Sequence, residues 1–275
     1  MPVVSSQERF FPPDSQIWRV NREMALLIAG GRALLMQIAH TKVAAGVAEY
    51  SRFQEDPLAR LHRTMSAMWS IVFDERTQGR AVLERIESVH TKVRGAVPAG
   101  EPSFAGARFG ALDQELLLWV HATLIDSAMI AYERFVGPLA PVEKTAYYDD
   151  SKKLASLFGI NDAILPPTIG EFEAYVQRMM AAGDAIAVGP TAKNLAHDIL
   201  YARPWIFKVA GPLFRFVTAG LLPEKLREAY GLKWTARKEK KLVLLAGAIR
   251  ASLPWLPAPI RIVPNARAAE KDFRR

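Results

Sequence analysis

Apolar residues recur at intervals of three and four through most of the chain, which is the spacing of helices that bury one face. Between residues 18 and 50 the series runs Met24, Leu27, Ile28, Leu34, Leu35, Ile38, Val43 and Val47. Gly30-Gly31 interrupts it, predicting either a division between two helices or a close approach of backbones. Asp56-Pro57 reads as an N-cap followed by a first-turn proline, so a further helix is expected from there to about Phe73. Residues 79–94 read as the next helix, and a loop rich in Gly and Pro continues to Phe109. The strongest apolar run covers 112–135. Shorter helices are expected over 141–158, 169–182, 191–200 and 223–230, and an amphipathic one with a basic start over 238–253. No alternating run of β-branched residues lies between turn residues, so strand signals are scarce. The pattern predicts an all-α fold. One helical domain spans 18–263, preceded by an irregular arm (1–17) and followed by a basic, loosely structured tail (264–275).

Composition sharpens this picture in three ways. Half of the 275 residues are apolar, enough for a sizeable core. The formal net charge is +8, which favours acidic partners such as anionic lipid, nucleic acid or a charged cofactor. Cysteine is absent, which removes disulfides, Cys-ligated zinc, iron–sulfur clusters, thiolate-ligated haem and c-type haem attachment. Any haem would therefore be held without a covalent link. The apolar run 116–132 contains His121 and Asp126 and is short for a membrane span, so a buried core helix is expected and no transmembrane segment. Peripheral membrane contact stays open. Residues 1–19 lack the basic start and apolar core of a secretory signal, and the expected location is cytoplasmic.

Three groups of residues could carry chemistry. Arg60, Arg63 and Thr64 share one helical face, which could bind an anion or donate hydrogen bonds to oxygen, or form an ordinary solvated basic face. His90 and Arg94 fall one helical turn apart, near Arg85 and Glu87. A neutral imidazole there could bind a haem iron while the guanidinium pairs with a propionate. Glu87-x-x-His90 also has the spacing of di-iron helix bundles, but the other histidines are preceded at that distance by Gln37, Ala59, Leu118 and Asn194. The third group is His121, Thr123 and Asp126 within the most apolar helix, where unpartnered polar groups would cost about 1–3 kcal/mol each. They imply a hydrogen-bonded network or a lined pocket. Read from the residues alone, His90 and His121 are equally good iron ligands. Dinucleotide and phosphate-loop signatures, a nucleophile elbow and His-Glu-x-x-His are all absent. The basic run Arg237 to Lys241 lacks the interleaved aromatics of single-strand binders, and no nucleic-acid partner is expected.

An ordered set of phrases resembles a known family. It comprises Gly31-Arg32-Ala33-Leu34-Leu35-Met36-Gln37-Ile38-Ala39-His40, Val43-Ala44-Ala45-Gly46-Val47, Asp56-Pro57 with Arg60-Leu61-x-Arg63-Thr64, and His90-x-x-Val93-Arg94-Gly95. Leu116 to Leu124, Tyr132-Glu133-Arg134-Phe135 and Leu157-Phe158-Gly159-Ile160 continue it. Together they resemble the catalytic domain of latex-clearing rubber oxygenases and MpaB-like oxygenases, over roughly residues 18–175. The resemblance implies a helical fold enclosing haem b, with iron held by His90 and Arg94 one turn on. It implies a distal side formed by Arg60, Arg63 and Thr64, and places Thr123 in the pocket. Arg63 stands where the latex-clearing enzymes use a lysine as distal ligand, and a protonated arginine is a poor ligand. Thr41 stands where a proline usually follows the histidine. The implied activity is a haem-dependent oxygenase acting with dioxygen on a small, unsaturated, isoprenoid-like substrate, cleaving carbon–carbon double bonds. A non-catalytic carrier of haem or an apolar ligand on the same fold is the alternative. A peripheral membrane or nucleic-acid binder using the basic C-terminal half is a third reading.

Overall fold

The structure is a computed structural model that describes residues 9–50, 57–201 and 206–273, and the side chains within them except those of 57–63 and 206–210. Fourteen α-helices, three 3-10 segments and one small hairpin make up the regular structure of the described residues. Helix α1 (Gln16–Asn21) begins where the Ser15 hydroxyl accepts the Trp18 N–H, and it buries Ile17, Trp18 and Val20. A 3-10 segment (Met24–Ala29) leads into α2 (Gly30–Ile38), and α3 (Thr41–Tyr50) follows. Next come α4 (Pro57–Phe73) and α5 (Arg76–His90), then the antiparallel strands β1 (Arg94–Ala96) and β2 (Arg108–Gly110).

Helix α6 (Gln114–Phe135) is apolar around most of its circumference and buries residues on several sides, as a central helix must. It is the one described helix long and apolar enough to cross a membrane, and 61% of its most apolar window is buried inside the fold. Against it pack α2, α7 (Pro141–Leu157) and α8 (Ile169–Ala181), the last entered through a Thr168–Glu171 capping box. Helices α9 (Pro190–Leu200), α10 (Ile206–Leu221), α11 (Glu224–Ala229) and α12 (Ala236–Ser252) complete the shell, with α13 (Ala258–Arg261) and α14 (Pro264–Asp272) at the end.

The all-α expectation holds, and three local expectations are corrected. The helix expected over 79–94 stops at His90, and residues 94–96 pair as a strand with 108–110. Three-residue strands bounded by turns leave no periodicity to read. The segment expected as a loose tail forms α14, whose Ala266 and Ala269 are buried and whose Glu270 accepts the Trp18 indole N–H at 3.3 Å. Two small side chains allow that close packing while carrying little hydrophobic signal. Helix α10 was not anticipated, because Gly211-Pro212 reads as a breaker although Pro212 sits inside the helix.

Gly30-Gly31 serves both purposes predicted for it. The 3-10 segment gives way to α2 there, and a Cβ on Gly31 would lie 2.1 Å from Thr218 Oγ1 and 2.8 Å from Phe214 on α10. Because Thr218 is fully buried, the overlap cannot be relieved toward solvent. Gly31→Ala is expected to destabilise by about 1–3 kcal/mol, through overpacking. A urea midpoint equal to that of the parent protein would contradict this account of the α2–α10 contact.

Candidate functional site

Helices α4 and α5 are joined only by Asp74 and Glu75 and pack against each other. His90 is the last residue of α5. The backbone there passes through a turn in which the Val93 N–H meets the His90 carbonyl at 3.1 Å, and then enters β1. The β-hairpin is braced against α3. Tyr50 donates its hydroxyl to the Arg94 carbonyl at 2.6 Å, and a Cβ on Gly95 would meet the Phe109 ring at 2.7 Å. Beyond β2, Asp113 stands at the N-cap position of α6, where its side chain accepts the Gly110 N–H at 2.9 Å rather than a helix N–H.

A cleft of about 400 Å³ opens between these elements, lined by His90, Val93, Arg94, Arg108, Phe109 and Asp113 among others. His90 is half-buried at its wall, and burial lowers its pKa, which favours the neutral imidazole. Its ring makes no hydrogen bond to any described residue, so a ring nitrogen is free to serve as a ligand or proton acceptor. Arg94 donates its Nε to the Thr91 carbonyl at 3.1 Å, and both Arg94 and Arg108 are exposed beside the imidazole. The cleft thus combines a neutral nitrogen donor, two cations and the apolar faces of Val93 and Phe109.

The expected residues fall into three sets. His90 and Arg94 line this cleft together, although Arg94 reaches it from a strand rather than from the helical position expected. Thr64 is exposed on α4, which packs along α5, while the side chains of Arg60 and Arg63 lie outside the described residues. His121 and Thr123 stand in the core and do not line this cleft. The Thr123 hydroxyl donates to the Val120 carbonyl at 2.7 Å, within its own helix. Asp126 and Ser127 bind Arg32, so much of the polar content of α6 is a structural network. Arg108 and Phe109 escaped the sequence reading because nothing in a Gly- and Pro-rich loop marks two of its residues as a strand facing His90.

His121 is a different kind of site. Its Nε2 is buried with no hydrogen-bond partner, and burial lowers its pKa to about 4 despite the opposing Ser151 backbone. His40 is also held down to about 4, first by burial and then by Lys42, with its ring stacked on Phe104 at 5.7 Å. In the unfolded chain both would titrate near 6.5. Below that value the unfolded state takes up protons that the folded state refuses, so stability falls from about pH 6.5 to about pH 4 and then levels off. Between pH 7 and pH 5 the expected loss is up to about 2 kcal/mol per imidazole. Urea unfolding across that range measures it, and a pH-independent midpoint would contradict it.

Among the described residues, no three His, Asp or Glu side chains cluster as a metal site. No solved structure matches the chain. Two uncharacterised proteins, one from Mycobacterium bovis and one from Mycobacterium tuberculosis, are each 23% identical to it over 231 residues, covering 82% of this chain and 87% of theirs. The family model of the catalytic domain of the ER-bound oxygenase mpaB/B' and rubber oxygenase matches residues 18–251, a span that holds most of α1, all of α2 to α11, the His90 cleft and most of α12. The chain belongs to that oxygenase family.

Proposed function

We propose that this protein is a haem b-dependent oxygenase in which His90 would hold the haem and whose substrate is an unsaturated, apolar, isoprenoid-like chain. Membership of an oxygenase family supports an oxidoreductase in general terms. The observation that carries the finer reading is the neutral, unpaired imidazole of His90 in a cleft with two exposed guanidinium groups. These residues fit the group: a b-type haem needs one nitrogen donor, cations for its two carboxylates and apolar contact for its ring. When bound, haem supplies the activation of dioxygen.

The remaining roles belong to the chain. His90 holds the group from the end of α5, where the turn into β1 fixes the backbone on its C-terminal side. Arg94 and Arg108 pair with carboxylates at the exposed mouth of the cleft. Arg60, Arg63 and Thr64, carried on the first turns of α4, would supply hydrogen-bond donors to an oxygen substrate. Such charge-assisted donors are stronger than neutral ones, and arginine keeps its charge at any working pH.

The test is oxygen uptake by haem-reconstituted protein in the presence of squalene, with the saturated analogue squalane as control. Uptake with squalene alone, together with a Soret shift on adding carbon monoxide to the reduced protein, is the expected result. The carbon monoxide shift without oxygen uptake over a panel of unsaturated lipids would instead establish the non-catalytic carrier. No shift at all would refute the haem reading.

A further inference from the structure

We propose that the outer face of α12 and the segment after it form a docking surface for an anionic lipid bilayer. The inner face of α12 is fixed, since Leu242 and Ala246 are buried against Phe135, Val217 and Leu221. What remains outward is unusual for a surface helix. Arg237, Lys241, Leu244, Ala248, Ala251 and Trp255 follow one another at intervals of three and four, and all are exposed. Leu244 is 73% exposed and Trp255 87%, with Val243 and Ile260 more than half exposed.

The stripe has two chemically distinct ends. Its N-terminal end is cationic, with Arg237, Lys240 and Lys241 exposed, while Glu239 is engaged by Arg134 and by the Trp234 indole at 3.0 Å. Residues 237–261 carry six basic side chains and one acidic one, a local excess within a chain of net charge +8. Its C-terminal end is apolar and rich in proline. Pro254, Pro257 and Pro259 are exposed and have no N–H to leave unsatisfied when water is removed. An exposed tryptophan beside such a segment suits the headgroup boundary, where an amphipathic ring has its apolar body and polar edge in matching surroundings.

Basic charge beside large exposed apolar side chains is the combination that binds interfacially. The cations meet anionic headgroups, and the apolar residues enter the acyl boundary with the helix lying in the plane. Charge complementarity selects an acidic bilayer over a neutral one. The surface is separate from the His90 cleft, so this inference stands whether or not haem is bound.

Vesicle co-sedimentation of the full chain tests it, comparing neutral phosphatidylcholine with vesicles in which about one lipid in three is phosphatidylglycerol. Expected is binding to the anionic vesicles that weakens steeply with salt, at least about tenfold weaker for the Leu244→Ser/Trp255→Ser double variant. Lys240→Glu/Lys241→Glu is expected to abolish the preference for anionic lipid. Because all four side chains are exposed, these variants should keep the parent's circular dichroism. Brominated lipids should quench a component of the tryptophan fluorescence that is missing in Trp255→Phe. No binding to either vesicle, or equal binding by parent and variants, would overturn the proposal. So would a parent that is dimeric and a Trp255→Ser variant that is monomeric, since the stripe would then be covered by a second copy.

Discussion

Arg32→Ala is expected to lower the unfolding free energy by about 3–5 kcal/mol, the cost of breaking a buried ion pair from one side. Arg32 is 3% exposed and uses its whole guanidinium group. Nε donates to the Leu221 carbonyl at 2.8 Å, one terminal nitrogen to Ser127 Oγ at 2.6 Å and the other to Asp126 at 2.5 Å. One side chain thereby ties α2 to the central helix α6 and to the last residue of α10. Alanine would leave a largely buried carboxylate, a buried hydroxyl and a carbonyl together without a partner. Lysine does not rescue it, because a point charge on a flexible stem cannot replace a planar fork of donors. The double variant Arg32→Met/Asp126→Asn is expected to lose much less than the sum of its single variants, since neither buried charge then remains. Urea unfolding measures all of these. A loss under about 1 kcal/mol for Arg32→Ala would show that the network is not what holds α2 in place.

His90→Ala is expected to abolish haem retention, while His121→Ala leaves it nearly intact. Groups that merely orient a ligand are commonly worth 10–100-fold in metal affinity, so removal of the ligand should exceed about a hundredfold. His121 has the more enclosed ring, but it sits in the core beside the Ser151 backbone and does not line the His90 cleft. Its replacement should register as lost stability and a flatter acid profile rather than as lost haem. Arg94→Ala should weaken haem binding by a smaller factor than His90→Ala and make it less sensitive to salt. Equal loss from His90→Ala and His121→Ala, or loss from His121→Ala alone, would reverse the ligand assignment.

Much of the fold was legible because periodicity is a global property of a helix. The spans expected over 141–158, 169–182 and 191–200 differ from α7, α8 and α9 by one residue at an end, and Pro57 starts α4 as read. What escaped depends on few residues or on distant partners. The β1–β2 hairpin is two three-residue strands, and α14 packs through alanines. The site was legible in part. His90 and Arg94 both line one cleft, but the route between them is a turn and a strand rather than the shared helical face expected. Sequence alone could not separate His90 from His121, because both are histidines in helical segments with polar neighbours. Their surroundings differ, since His90 lines a cleft and His121 stands in the core. Nor could it decide between a pocket and a network for Asp126, whose partner Arg32 lies 94 residues away.

The most direct measurement of the central claim is the visible absorption spectrum of the protein purified from haem-supplemented cells. The account predicts a Soret band that stays with the protein through gel filtration, shifts when the reduced form takes up carbon monoxide, and is missing from His90→Ala. A folded, colourless protein that cannot be reconstituted with haem would contradict it, and the roles given to His90, Arg94 and Arg108 would fall with it.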